Sequence, residues 1–382
     1  MHFLTVMVER PARLQPARCE SIPGFNIAAS LGDGARTPPV LTVCRPAAGQ
    51  YRYRRDGSYG TAPSPNQIST SAFLDTRIGF TGDRLHGFPA EAVAAALAHA
   101  RAGARPATVN YLFHSSFCCS SLLARSLHRA GRTLVLREPL ILRRLADLKR
   151  EPGMAADFWP RQGQALLDMS LTLLAKTWTD SESVLIKPTN LVNSLAAELL
   201  AARPTARALF LYSDLETFLI SNLKKPDVTK QKMSLLARIF SRETGYAGLF
   251  PELQLDQLDH LQSVVIVWHT QLLLFSRLLQ TYLQRLASLD SAALLAEPET
   301  MLTAAARFFG EALTAREVRD IVAGPVWHTH AKDPRATYDR QLREQENREL
   351  ARRYCDELAG ALRWAEPLLQ RYPVSLPLPR AL

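Results

Sequence analysis

Cysteine is scarce in this chain of 382 residues and poorly placed for cross-linking. The five present, Cys19, Cys44, Cys118, Cys119 and Cys355, are odd in number and irregularly spaced. That excludes a disulfide-built scaffold and points to a reducing compartment, here expected to be the cytoplasm. The adjacent pair Cys118-Cys119 has no Cys-x-x-Cys frame, so a redox or zinc reading lacks its motif, and small side chains filling a tight loop are the simpler account. Long apolar runs are missing too. Met1–Arg10 is interrupted by Glu9 and Arg10 and reads as too short for a signal core or a membrane span. Val264–Leu279 contains His269, Gln271, Ser276 and Arg277 and reads as a buried core helix. Acidic residues are outnumbered, 36 against 46 basic, for a net charge of +10. This suits an anionic partner such as a nucleotide, a phosphate or sulfate ester, nucleic acid or an acidic lipid, and equally a solvated basic surface. No basic–aromatic surface pattern accompanies the charge, so a nucleic-acid partner is not expected. Neither repeats nor sustained heptads occur. Against these absences, 47% of residues are hydrophobic, enough for a sizeable core and too many for global disorder.

Residues 1–70 differ from the rest. They are rich in Pro, Gly and Arg without a sustained period, and Pro38-Pro39 removes backbone donors. An irregular arm is expected there, with a single α/β domain over 71–382. From residue 89 onward helices and strands alternate. Helices are expected at Pro89–Ala102, Ser120–Ala130 (stopped by Gly131), Leu140–Arg150, Gln162–Thr177 and Leu191–Ala202. Strands are expected at Thr108–Phe113, Thr133–Leu136, Ser183–Ile186 and Ala206–Tyr212. Such alternation predicts a parallel central sheet covered by helices on both faces. The C-terminal half reads as mostly helical, at about 228–242, 255–284, 298–309, 314–323 and 339–371, with a last strand near Arg285–Leu289.

The run Tyr111 to Arg125 is the most informative. An apolar strand enters a loop of small polar residues, His114-Ser115-Ser116-Phe117-Cys118-Cys119, and then an amphipathic helix opening on Ser120-Ser121. A helix N-terminus presents unpaired N–H groups and partial positive charge, which suits an anion. The two serines are expected to cap the helix and to present hydroxyls to phosphate oxygens. A plain strand–turn–helix fits the spacing as well. No Gly-Lys-Ser/Thr follows, so a Walker A kinase loop is excluded.

The segment Phe117-Cys118-Cys119-Ser120-Ser121-Leu122-Leu123 resembles the 5′-phosphosulfate loop of P-loop sulfotransferases of the bacterial and tyrosylprotein type, where Arg-Ser-Gly-Ser-Thr-Leu-Leu follows a strand. The hydroxyls and the Leu-Leu are kept, while Phe117 replaces the cation and Cys119 the glycine. Arg137-Glu138-Pro139 matches the place of the family's general base. Ser213-Asp214 with Ser221 eight residues after Ser213 resembles the 3′-phosphate motif, Ser213 standing where the family has arginine. Ala296-Glu297-Pro298-Glu299, followed by a helix ending Arg307-Phe308-Phe309-Gly310, resembles a late turn of the family. The resemblance spans about residues 108–310.

The resemblance implies a P-loop NTPase-like sulfotransferase topology and transfer of a sulfuryl group from 3′-phosphoadenylyl sulfate to a hydroxyl or amine of a small molecule or peptide, with no metal. It implies nucleotide contacts from Ser115 through Ser121 and from Ser213 and Ser221, with Lys332 and Arg335 in a basic loop that closes over the nucleotide. Glu138 would be the base; otherwise it pairs with Arg137 or Arg143 or caps the helix at Leu140. Lys187, after the third strand, is either a ligand-binding cation or a solvated loop charge. His114 either donates to a ligand oxygen or is a satisfied structural residue. Lys224 and Lys225 either reach a 3′-phosphate or end a helix in solvent. His328 and His330 lack a third metal ligand by spacing. The competing function is a nucleotide-binding or scaffold protein that kept the fold and lost catalysis.

Overall fold

The computed structural model describes residues 107–382 except 152–153, 176, 178–180, 331–332 and 338, together with three short strands nearer the N-terminus. The side chains of 154–158, 228, 330 and 333–337 lie outside that description. The chain divides into two compact units, one of residues 1–107 and 140–181, the other of 108–139 and 182–382.

In the first unit, strands β1 (Val6–Glu9), β2 (Val40–Val43) and β3 (Gly87–Phe88) form an antiparallel sheet. The remainder of 1–70 and the helix expected at Pro89–Ala102 lie outside the described residues.

The second unit is built on β4 (Val109–His114), β5 (Thr133–Arg137), β6 (Ser183–Lys187), β7 (Ala208–Tyr212) and β8 (Leu286–Asp290). They form a parallel sheet in the order β5-β6-β4-β7-β8. The α/β class and the helix-covered parallel sheet are thus as the alternation predicts. β4 and β7 are buried at every position, as strands covered on both faces must be.

Helix α1 (Ser120–Leu127) follows β4. In the first unit come α2 (Leu140–Arg150), a π-helical stretch over Met154–Gly163 and α3 (Gln164–Leu174). The second unit continues with α4 (Ala196–Ala202), α5 (Leu215–Leu223), α6 (Asp227–Thr244) and α7 (His260–Thr281). Then come α8 (Pro298–Phe308), α9 (Ala315–Val322), α10 (Arg340–Arg353) and α11 (Cys355–Arg371). Among the described residues no helix is long and apolar enough to cross a membrane.

Successive residues of a strand point to opposite faces, which splits the core in two. Leu112, Leu185, Leu209 and Leu289 pack with Leu123 and Leu127 of α1 and Leu302 of α8. On the alternate positions, Phe113 and Phe210 meet Phe275 of α7, with ring centroids 5.5 and 3.7 Å apart. A capping box between Asp259 and Gln262 starts α7. At the outer edge, Ser288 N–H donates to Arg380 O and Leu382 N–H to Ser288 O, both at 3.0 Å. The C-terminal tail thereby covers β8, an edge that would otherwise expose unpaired backbone groups.

Some helix limits differ from expectation. α1 ends at Leu127, not Ala130, because His128 turns extended (φ −70, ψ 127). Gly131, with φ 75, serves the following turn. The helix expected at Leu191–Ala202 begins as a 3-10 stretch, Asn190–Leu195.

Candidate functional site

The strand order puts the C-terminal ends of β5, β6 and β4 side by side, and open parallel sheets bind ligands along that edge. After β4, Ser115 N–H still pairs with Leu211 O at 3.0 Å. The chain then enters the left-handed region at Ser116 (φ 82), Phe117 (φ 53) and Cys119 (φ 61) without using a glycine. Each such non-glycine residue costs on the order of 1–3 kcal/mol and persists only where its surroundings impose it. Turns of this kind can aim successive N–H groups into one concavity that suits an anion.

Cys119, not a serine, is the N-cap of α1, and its side chain makes no capping bond. Ser120 and Ser121 stand in the first turn, so the expectation that they cap is corrected. The cause is the left-handed cap backbone (φ 61, ψ 16) in place of the extended one that a capping serine uses.

Buried amides hold the loop. Gln271 Nε2 donates to Ser115 O at 3.1 Å, Asn193 Nδ2 to His114 O at 3.1 Å, and Asn193 Nδ2 to Gln271 Oε1 at 2.9 Å. Cys118 is buried with Sγ directed at Leu211 O. Burial, with Cys119 beside it, pushes the Cys118 thiol up to about 11, so it fills space and donates rather than reacts.

His114, Glu138 and Lys187 converge. Lys187 is 1% exposed, and its Nζ lies 2.7 Å from Glu138 Oε1 and 3.0 Å from His114 Nε2. His114 Nδ1 accepts the Ser116 N–H at 3.0 Å, which leaves the proton of a neutral ring on Nε2, 3.0 Å from Pro188 O. The ring therefore ties the loop to the end of β6. Glu138 has a left-handed backbone (φ 52), and its N–H donates to Lys187 O. The solvated reading of Lys187 is overturned by its burial, since a buried lysine needs a partner. The partner is Glu138. Arg143 instead pairs with Asp147.

These residues open onto a cavity of about 790 Å³, within the range of small-molecule sites. Of the residues singled out in the sequence, His114, Ser116, Phe117, Cys118, Cys119, Ser120, Ser121, Glu138, Lys187 and Ser221 line it. Ser115 and Ser213 do not. Ser115 is buried behind the loop, and Ser213 is fully buried, its carbonyl accepting Trp268 Nε1 at 2.9 Å. Asp214 caps α5 by accepting the Thr217 N–H. Lys332 lies outside the described residues, and of Arg335 only its place in the strand Asp333–Thr337 is described. His328 reaches the cavity wall, and no cluster of three or more metal-ligating side chains occurs among the described residues.

The opposite wall carries residues that sequence reasoning missed. Arg340 and Arg343, both in α10, line the cavity, as do Trp327 and Val326. Arg343 Nη1 donates to Cys119 Sγ. From the loop's own side, Lys225 Nζ stands 4.7 Å over the Phe117 ring, and Lys224 pairs with Glu346 at 3.0 Å. For Gln271 a signal existed: an amide inside the most apolar run of the chain. For Arg343 none did, because α10 is polar around its whole circumference.

No protein-family model and no curated protein matches this chain. Among solved structures the chain is similar to the sulfotransferase domain from the curacin biosynthetic pathway, at 12% identity and a TM-score of 0.35, over 66% of this chain and 99% of that one. It is similar to the sulfotransferase domain of the Synechococcus PCC 7002 olefin synthase, at 14% identity and a TM-score of 0.36, over 66% and 96%. A Mycobacterium avium sulfotransferase aligns at 11% identity and a TM-score of 0.34, over 69% and 81%.

Proposed function

We propose that this protein transfers a sulfuryl group from 3′-phosphoadenylyl sulfate to a hydroxyl or amine acceptor. The observation that carries the reading is the meeting of Glu138, Lys187 and His114 beside the left-handed loop, in one cavity. The residues present suit a polyanionic ligand: backbone N–H groups at the head of α1, the hydroxyls of Ser120, Ser121 and Ser221, and cations on both walls. When bound, the donor supplies a sulfuryl group already activated by its phosphate leaving group, which needs no metal.

The chain's own residues supply the rest. Glu138 takes the proton of the acceptor. Lys187 fixes the Glu138 carboxylate and offers a donor where negative charge builds. His114 holds the loop against the end of β6, accepting the Ser116 N–H at Nδ1 and donating from Nε2 to Pro188 O. The left-handed backbone at Glu138 sets the direction of its side chain, a use of strain that recurs at functional sites.

The test is transfer from radiolabelled donor to a panel of hydroxyl and amine acceptors. Glu138→Gln is expected to cut transfer about a hundredfold or more while leaving adenosine 3′,5′-bisphosphate binding in place. Transfer untouched by the substitution removes Glu138 as base. Nucleotide binding with no transfer to any acceptor replaces the enzyme reading with that of a binding or scaffold protein.

A further inference from the structure

Gln271 lies in α7, and Asn193 in the 3-10 stretch Asn190–Leu195. Both are buried, at 1% and 2% exposure, and neither lines the cavity. A buried amide has to recover its lost hydration through hydrogen bonds. These two recover part of it on backbone carbonyls at the start of the loop, Gln271 on Ser115 O and Asn193 on His114 O. A peptide unit is rigid and planar, so a bond at its carbonyl also fixes its N–H. The unit between His114 and Ser115 is held at both ends, by Asn193 Nδ2 at the carbonyl and by Leu211 O at the N–H. The unit between Ser115 and Ser116 is held by Gln271 Nε2 at the carbonyl, while its N–H donates to His114 Nδ1 at 3.0 Å. That second unit opens the left-handed turn at Ser116 (φ 82). The Gln271 amide is fixed in turn: Nε2 also donates to Val267 O, and Oε1 accepts from Asn193 Nδ2, both at 2.9 Å. One side chain of α7 therefore bears on the His114 ring and on the entry into the loop at once.

We propose that Gln271, braced by Asn193, is a positioning residue for the binding of a phosphate-type anion. Through the Ser115–Ser116 peptide it sets the His114 ring and the left-handed loop that receives the ligand, without touching the ligand itself. Loss of the amide leaves the Ser115 carbonyl a buried acceptor without its donor. A rotation of the peptide that repairs this takes the Ser116 N–H off His114. Asn190 supplies the contrast. Its Nδ2 also reaches Gln271 Oε1, at 3.4 Å, yet among the described residues it bonds to no atom of the loop. The inference rests on the reading of the cavity as an anion-binding transferase site.

The experiment compares the full chain with Gln271→Met, Asn193→Leu and Asn190→Ala. Melting curves establish that each is folded at the assay temperature, and two sites of the network are tested so that one unfolded variant leaves the other. Adenosine 3′,5′-bisphosphate is titrated calorimetrically into each. Gln271→Met and Asn193→Leu are each expected to weaken binding about tenfold. Asn190→Ala should lower the melting temperature and leave the affinity unchanged. The second readout needs no ligand: the ring nitrogen signals of His114 in protein labelled with 15N-histidine, assigned among the nine histidines by their loss in His114→Asn. Gln271→Met should shift the His114 Nδ1 signal as its Ser116 donor moves, and Asn190→Ala should not, a difference that loss of stability alone does not produce. Wild-type binding with an unchanged affinity in Gln271→Met, or an equal loss in Asn190→Ala, overturns this inference and leaves the functional reading standing. Absence of nucleotide binding to wild type overturns the functional reading. The ring signal then decides the positioning by itself, and an unmoved His114 signal in Gln271→Met overturns that too.

Discussion

Glu138 and Lys187 are joined twice: Lys187 Nζ donates to the Glu138 carboxylate at 2.7 Å, and the Glu138 N–H donates to the Lys187 carbonyl at 2.6 Å. The second bond extends the β5–β6 ladder by one residue past the Arg137–Lys187 pair. It brings the carboxylate to a lysine that the sheet buries almost completely. The two partners are unequally solvated, with side-chain exposures of 21% for Glu138 and 1% for Lys187.

That inequality sets an order of stability. Glu138→Ala strands a buried cation and is expected to cost about 3 kcal/mol or more, the range for breaking a buried pair from one side. Lys187→Met leaves a carboxylate that water can reach and replaces the lysine by an apolar chain of similar length, so its cost is smaller. Urea unfolding of the two variants reads the difference. Equal losses, or the reverse order, contradict the burial of Lys187.

Acid stability follows from the buried histidines. His269 donates Nε2–H to Tyr372 O and accepts the Tyr246 hydroxyl at Nδ1, at 2.8 and 2.9 Å. Burial holds its pKa down to about 4, against a small opposing effect of the Tyr372 carbonyl. Burial also lowers His128 and His260. The folded protein therefore binds fewer protons than the unfolded chain below the ordinary histidine value of 6.5. Stability is full above that pH, falls as the pH drops through it, and levels off for His269 near pH 4. His269 alone contributes roughly 3 kcal/mol across that interval. Melting temperature against pH measures it, and His269→Gln should flatten the acid limb. An unchanged limb contradicts the assignment.

The sequence made much of the fold legible because the five strands of the parallel sheet are apolar runs buried on both faces. Glu138, Lys187 and His114 stood out singly, each at the end of a strand. Their contact was not legible, since it depends on β6 inserting between β5 and β4, which crossovers decide and local pattern does not. The break between α10 and α11 was also hidden: Tyr354 leaves the helical region (φ −118, ψ 32) without a proline or glycine to announce it. Ser213 matched a motif position by spacing, yet burial in the core keeps it off the cavity wall. Arg343 reaches Cys119 from 224 residues away, a distance over which side-chain spacing carries no information.

Thiol labelling separates the two adjacent cysteines. Cys118 is buried with its thiol pushed up to about 11, Cys119 is half-buried on the cavity wall, and Cys355 is exposed. Mass-spectrometric mapping after maleimide treatment of the folded protein should find, among these three described cysteines, Cys355 modified first, Cys119 more slowly, and Cys118 unmodified. Of these three, adenosine 3′,5′-bisphosphate should slow Cys119 and leave Cys355 unchanged. Early modification of Cys118 contradicts the packing of the loop.

The most direct test is a crystal structure of the protein with adenosine 3′,5′-bisphosphate. A phosphate is expected at the head of α1, accepting the backbone N–H groups of Ser120 and Ser121, with Lys187 at its side. A nucleotide bound elsewhere, or a loop from Ser116 to Cys119 that stays empty at saturating ligand, contradicts the account.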